Sequence, residues 1–503
     1  MTKTDRQHPV LGFSTGSLRY LHYFLLFFLL FAGCRPDDTR ETAGLSAASL
    51  DLDHPFLSYV TNVHPEYSYE LKKTIEGDGY SVYIIRMVSQ QWLSKAIVDE
   101  TTWWHWLTII VPDEVDHSAG LLWIGGGSKN TSLPSSVNPI VLEAALATRS
   151  VTAEVHNVPF QPLTFAGDHR ERLTEDALIA YGWRKFMEGG ARDEDAVWLS
   201  RLPMTTVVVR AMDTITEFLS TQNGLALDHY VIAGGSKRGW TTWTTAIFDD
   251  RVVAIAPVVI DLLNLIPSFD HHWQALGEWS PAIKDYVNEG IMDYKDTPEY
   301  RRLLEFVDPY SYLEYLDLPK FLINATGDEF FLPDSWQFYW DDLLGEKHIR
   351  YVPNSGHSLS ETDAGLSLIA FYHQILRDKP RPEFGWEITD DEIHLSFDPS
   401  RVPDRIRLWH IHNPEARDFR IYATGPEWVH TDIPVPNDGL LTIPAGTPET
   451  GFTAWFAEAE FNVGSVHPFK LTSGVVVRPD VYPHPPYEAI PPKSVTASDH
   501  SDL

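Results

Sequence analysis

Apolar residues recur along this chain with two different periods, and the change from one to the other divides it. From Ser81 to Val88 they alternate with polar ones, the signature of a strand with one buried face. Residues 106–112, 121–124 and 151–159 are further strand-like runs, rich in Val, Ile, Thr and Trp. Between and after them lie stretches with helical spacing at Pro139–Thr148, 174–187 and 204–220. In the last, Val207, Val208, Ala211, Met212, Ile215, Phe218 and Leu219 fall on one face. Strands follow at 229–233, 252–260 and 321–325. Strands alternating with helices over residues 53–380 predict an α/β domain with a mainly parallel sheet covered on both faces. Residues 262–318 break the rhythm and hold Phe269, Trp273, Trp279 and Tyr286, which reads as a helical cap inserted between two strands. Beyond residue 384 the runs become short and are punctuated by Pro, Gly, Asn and Asp. That pattern predicts a C-terminal all-β sandwich over 384–482, followed by a Pro-rich extended tail at 483–503.

One strand end carries chemistry. The run Val231-Ile-Ala-Gly-Gly-Ser236 passes directly into a helix-compatible stretch beginning Lys237-Arg-Gly-Trp240. A sharp strand-to-helix turn with small neighbours is how a serine nucleophile is lifted above a sheet. The second glycine stands one place later than in G-x-S-x-G, at Gly239, with Arg238 in its usual position. Two later strand ends supply an acid and a base: Asp328 after Phe321-Leu-Ile-Asn-Ala-Thr-Gly, and His357 after Arg350-Tyr-Val-Pro-Asn-Ser-Gly. The chain order Ser, Asp, His is that of α/β-hydrolases, and all three lie where open α/β sheets place their sites. Asp334 is the fallback acid; with Pro333 before it, it reads more readily as a helix cap.

Composition narrows the class. The 503 residues carry a net charge of −31, which disfavours phosphate backbones and anionic lipid as partners and would draw cationic peptides. The sole cysteine, Cys34, excludes an intrachain disulfide. Lys3, Arg6 and Arg19 precede an apolar run at 23–31, and Phe31-Ala-Gly-Cys34 closes it. Residues 1–34 therefore resemble a bacterial lipoprotein signal with Cys34 lipidated, and polar residues 35–52 a flexible tether. The expected location is the bacterial cell envelope, lipid-anchored or secreted. His271-His272 has no metal-ligand spacing partner, and neither a metal nor a cofactor is expected.

Several stretches together resemble the PhoPQ-activated pathogenicity-related family, an α/β-hydrolase-like group. They include the Trp/His cluster from Trp103, Val158-Pro-Phe-Gln-Pro-Leu-Thr-Phe165, Glu175-Asp-Ala-Leu-Ile-Ala-Tyr181, Gly235-Ser-Lys-Arg-Gly-Trp-Thr-Thr-Trp243, Thr326-Gly-Asp-Glu-Phe-Phe331 and Asn413-Pro-Glu-Ala-Arg-Asp-Phe-Arg420. The resemblance runs over roughly residues 50–482 and supports Ser236, Asp328 and His357 at hydrolase positions. It implies little about substrate.

The chemistry this arrangement predicts is acyl transfer to Ser236, with His357 as base and Asp328 orienting it. The backbone amide of Lys237 and the loop Gly126–Gly127 are the expected oxyanion donors. Arg238, Trp240, Trp104, His105 and Trp273 are the candidate pocket residues, with a small molecule or a peptide as substrate. A peptidase acting on cationic peptides and a non-catalytic binding protein on the same scaffold are the alternatives.

Overall fold

The computed structural model describes residues 54–491 except 63, 390 and 391. Cys34, the tether and the last twelve residues lie outside that range.

Nine strands build the central sheet: β1 (Ser68–Glu76), β2 (Tyr80–Gln91), β3 (Thr102–Pro112), β4 (Ala119–Ile124), β5 (Thr152–Val155), β6 (His229–Gly235), β7 (Val252–Val258), β8 (Lys320–Ala325) and β9 (Lys347–Val352). They lie in the order β1-β2-β3-β5-β4-β6-β7-β8-β9. Pairing is antiparallel from β1 to β5 and parallel from β5 through β9. This is an α/β-hydrolase sheet with an added edge strand. That edge, β1, escapes the hydrophobic pattern because it is polar and mostly exposed: Ser-Tyr-Glu-Leu-Lys-Lys-Thr-Ile-Glu. Charged side chains on an edge discourage pairing with other chains.

The α-helices of the described residues are α1 (Pro55–Thr61), α2 (Pro139–Thr148), α3 (Glu175–Glu188), α4 (Arg201–Asn223), α5 (Lys237–Phe248), α6 (Leu265–Leu276), α7 (Lys284–Asn288), α8 (Pro298–Val307), α9 (Ala364–Leu376) and the single turn α10 (Ile421–Thr424). Alternate residues of β6 feed two different layers. Tyr230 and Ile232 join the core under α4 and α5, while Val231 and Ala233 join a second core with α9. A strand buried on both faces reads as continuous hydrophobicity, as this one does. α4 begins at Arg201, ahead of Pro203, because proline is tolerated in a helix's first turn. Residues 262–318 hold α6, α7 and α8 and no strand.

The C-terminal region forms two antiparallel sheets. One has β10 (Phe384–Ile388), β11 (Glu392–Phe397) and β14 (Leu440–Pro444). The other has β12 (Arg405–Asn413), β13 (Val429–Ile433), β15 (Phe452–Phe461), β16 (Phe469–Thr472) and β17 (Val476–Arg478). Ile393, Leu395, Ile406, Ala457 and Phe461 share one apolar cluster with Phe321 and Phe371 of the first region. Phe469 packs edge-on to Phe321 and stacks on Phe371, with centroids 5.0 and 6.2 Å away. The two regions thus have a common core, and the described residues make one compact unit. Residues 482–491 have no regular structure but are pinned to the cap: Tyr487 packs on Trp273 and Trp279, and its hydroxyl donates to Asp293 at 2.7 Å.

Candidate active site

Ser236 sits between β6 and α5 with φ +58° and ψ −127°, a left-handed backbone rare outside glycine. Its amide donates to Val258 O on the neighbouring strand at 2.8 Å, and its carbonyl caps Gly239 and Trp240 of α5. The glycines around it answer to close approach. A Cβ on Gly234 would lie 2.9 Å from the Arg238 carbonyl oxygen, and one on Gly239 would lie 2.6 Å from Ile260 Cγ2. The late glycine therefore serves the packing of α5 on the chain after β7. Strain of this kind costs about 1–3 kcal/mol and persists where the surrounding structure enforces it.

His357 and Asp328 meet after β9 and β8. His357 Nδ1 lies 2.9 and 3.0 Å from the two carboxylate oxygens of Asp328. Asp328 is buried, and its Oδ1 also accepts the amides of Phe330 and Phe331 at 2.8 and 3.3 Å. The His357 amide donates to Glu329 at 2.7 Å, and the Phe330 ring packs at a tilt with its centroid 4.3 Å from the imidazole. The ring is thus fixed from three sides. With Nδ1–H aimed at the carboxylate, Nε2 is the free acceptor. Ser236 and His357 line the same cavity of about 480 Å³, together with Arg238, Trp123, Ile140 and Leu359. Ser236 also borders a second, smaller space of about 40 Å³ toward the cap, with Arg201, Lys237, Trp240, Phe269 and Tyr286.

Lys237 and Arg238 form ion pairs. Lys237 Nζ lies 2.9 Å from Glu175 and 3.1 Å from Asp176. Arg238 Nη2 donates to both Glu175 oxygens at 2.6 and 2.7 Å, and its Nε donates to Val158 O at 2.6 Å. Burial raises the Glu175 carboxyl, but Arg238 and Lys237 outweigh it and hold it down at about 2. Glu175 is the residue that sequence reasoning missed. Its place in a helix's first turn disguised it as a capping acid, and its partner Arg238 is 63 residues away.

At the expected oxyanion site, Lys237 opens α5, where first-turn amides have no helical acceptor. Gly125 N–H is committed to Val155 O at 2.8 Å. Gly126 and Gly127 do not line the cavity, but a Cβ on Gly126 would lie 2.9 Å from Arg238 Nη2, so the loop packs on a residue that does.

Of the expected pocket residues, the structure brings Arg238 and Trp240 to Ser236 and leaves three elsewhere. Trp104 lies on β3 with the Arg86 guanidinium 4.7 Å over its ring. His105 points the other way into the core, between Ser89 Oγ at 3.2 Å and His156 O at 3.0 Å, and burial pushes it down to about 4. Trp273 belongs to the cap cluster with Trp279 and Tyr487. Alternation along a strand and the outward face of a cap helix account for these misplacements; the sequence pattern gives no sign of them.

The reading of Asp334 as a helix cap is corrected. Its side chain makes no capping bond. It is buried, with Oδ1 2.9 Å from His271 Nε2 and Oδ2 accepting from Arg417 at 2.6 Å. Burial opposes its ionisation, but Arg417 and His271 prevail and hold it well below the usual carboxylate range. His272 is also buried, accepts the Ser280 amide at 3.1 Å and is pushed down to about 3 by burial, then by Arg420. No group of three or more metal-ligating side chains occurs among the described residues.

The fold and the elbow define an α/β-hydrolase-like protein with an aspartate–histidine pair beside a strained serine. Residues 56–420 match the family model described as PhoPQ-activated pathogenicity-related protein, and the chain belongs to that family. It is 36% identical over 466 residues to the autocrine proliferation repressor protein A of Dictyostelium discoideum, covering 87% of this chain and 93% of that protein. Among solved structures it is similar to acetyl xylan esterase 1 of Thermoanaerobacterium sp. JW/SL YS485, with TM-score 0.45, 13% identity and coverage of 64% of this chain and 94% of the esterase. It is also similar to a glucuronoyl esterase of Solibacter usitatus, with TM-score 0.37, 13% identity and coverage of 66% and 94%.

Proposed function

We propose that the protein is a serine hydrolase that cleaves an ester or amide by acyl transfer. The observation that carries this reading is a single cavity bordered by a strained Ser236 and by His357, whose far nitrogen is held by buried Asp328. In this reading His357 Nε2 takes the Ser236 proton as Oγ adds to the scissile carbonyl. Asp328 keeps the tautomer and stabilises the imidazolium, and the proton then passes to the leaving group. The Lys237 amide receives the oxyanion, and Arg238 supplies positive charge beside it. Water repeats the sequence to free the enzyme.

The test is hydrolysis of short-chain 4-nitrophenyl esters. Wild type should turn over, and Ser236→Ala should lose about 10⁴-fold or more in kcat while keeping its circular dichroism. Equal rates would refute the reading.

The name of the Dictyostelium relative speaks of signalling, and it favours a second reading in which the scaffold acts by binding. A biological activity retained by Ser236→Ala would select it. Location is a further part of the proposal: Cys34 is lipidated and anchors the chain at the cell envelope. Labelled palmitate should enter wild type and not Cys34→Ala; a wild-type chain that takes up no lipid contradicts it.

A further inference from the structure

Three cations cluster behind Ser236, and only two are paired. Lys237 and Arg238 share Glu175 and Asp176. Arg201 enters no ion pair among the described residues, although it is 3% exposed. Its Nη1 donates to Lys237 O at 2.6 Å and to Thr241 Oγ1 at 2.8 Å, both neutral acceptors. Its Nε is buried without a partner. The acid whose charge reaches Arg201, Asp176, is already engaged: Oδ1 accepts the Tyr286 hydroxyl at 3.1 Å and Oδ2 faces Lys237 Nζ at 3.1 Å. A buried guanidinium that hydrogen-bonds only neutral acceptors and feels Asp176 only at a distance is costly, and such a group calls for a counter-ion. Burial pushes Arg201 down to about 10, which still leaves it charged at neutral pH.

Arg201 borders the small space that opens at Ser236 toward the cap. Around it stand Trp183, Trp240, Phe269 and Tyr286, and also the Asp176 carboxylate, which is neutralised by Lys237 3.1 Å away on the same wall. The guanidinium lies 5.2 Å over the Trp240 ring, which fixes its plane. A volume of about 40 Å³ admits a group the size of a carboxylate and excludes a ring.

We propose that Arg201 is the floor of an anion subsite, and that the substrate is an ester or amide bearing a small carboxylate close to the scissile carbonyl. This assignment rests on Ser236 being the nucleophile and adds the substrate's charge. The larger cavity takes the rest of the molecule. The net charge of −31 does not argue against it, because charges farther than about 8 Å across solvent are screened at physiological salt, whereas Arg201 would touch the ligand. Arginine suits the role because its fork matches a carboxylate.

The experiment is calorimetric titration of the full chain with succinate and with uncharged succinamide, in parallel with turnover of the 4-nitrophenyl monoester of succinate and of 4-nitrophenyl butyrate. Succinate should bind wild type and Ser236→Ala alike and at least tenfold more tightly than succinamide. Arg201→Met should weaken succinate at least tenfold and reduce the anionic-to-neutral ratio of kcat/KM by a similar factor; Arg201→Lys should recover part of both. Succinate binding no better than succinamide in wild type overturns the subsite, and needs no variant to fold. Unaltered succinate affinity in Arg201→Met overturns it too. Turnover of both esters unchanged in Ser236→Ala, with succinate binding intact, would refute the nucleophile and leave the subsite standing.

Discussion

Among the described residues, two histidine–aspartate pairs with a buried carboxylate share a 2.9 Å separation, and their surroundings differ. His357 uses one nitrogen on Asp328 and turns the other side of its ring to a cavity it shares with Ser236. His271 has both nitrogens engaged, Nε2 on Asp334 and Nδ1 on the Tyr482 hydroxyl at 2.9 Å. Asp334 carries Arg417 as well, so that pair is a buried charged knot joining the cap, the loop after β8, the chain after β12 and the C-terminal segment. Distance alone does not distinguish a base from a brace. In the proposed reading, a free nitrogen, access and Ser236 within the same cavity do.

Breaking each pair should therefore give opposite phenotypes. Asp328→Asn should lower kcat by about 10⁴-fold, because the imidazole loses its tautomer, with little change in melting temperature. Steady-state kinetics on a 4-nitrophenyl ester checks this; near-normal rates would move the acid elsewhere. Asp334→Asn should cost about 3–5 kcal/mol of stability, since it leaves Arg417 buried without its carboxylate. Urea unfolding reads that loss, and the folded fraction should still turn over. An Asp334→Asn chain as stable as wild type would return Asp334 to a capping role.

A third aspartate sharpens the contrast. Asp261, just after β7, is buried between the hydroxyls of Tyr339 and Tyr351, which donate to its two oxygens. Burial pushes its carboxyl up to about 8. The folded state then keeps a proton that the unfolded chain releases above about pH 4. The stability from this group is fully present below that pH and is lost as pH rises through about 8. Buried His105 and His272, whose pKa values are lowered, add stability as pH rises over part of this range, so the prediction is a difference: from pH 4 to 8 the denaturation midpoint of wild type should decline relative to that of Asp261→Asn, and parallel slopes would show that the carboxyl is ionised. The smallest effect belongs to Trp273→Phe. It lies outside both cavities, and turnover should stay at the wild-type rate.

The sheet, the elbow and the order of Ser236, Asp328 and His357 were legible because each depends on short-range signals: alternation, glycines and strand ends. Trp104 and His105 were misplaced because adjacent residues on a strand face opposite sides, and both faces of β3 are largely buried. Glu175 was passed over and Asp334 misread because helix-start chemistry uses the same carboxylates as long-range ion pairs. Arg417, 83 residues from Asp334, sits in a stretch that resembled the family with no role attached. The shared core of the two regions was hidden for the same reason: Phe469 looks like any inward strand residue until Phe321 and Phe371 are placed against it.

The central claim is that Ser236 is the activated nucleophile. It is tested most directly by treating the full chain with a fluorophosphonate and locating the adduct by peptide mass spectrometry. The account predicts one adduct, on the peptide containing Ser236, lost in Ser236→Ala, strongly slowed in His357→Ala and retained in folded Asp334→Asn. An adduct on another residue, or labelling that Ser236→Ala leaves unchanged, would contradict it.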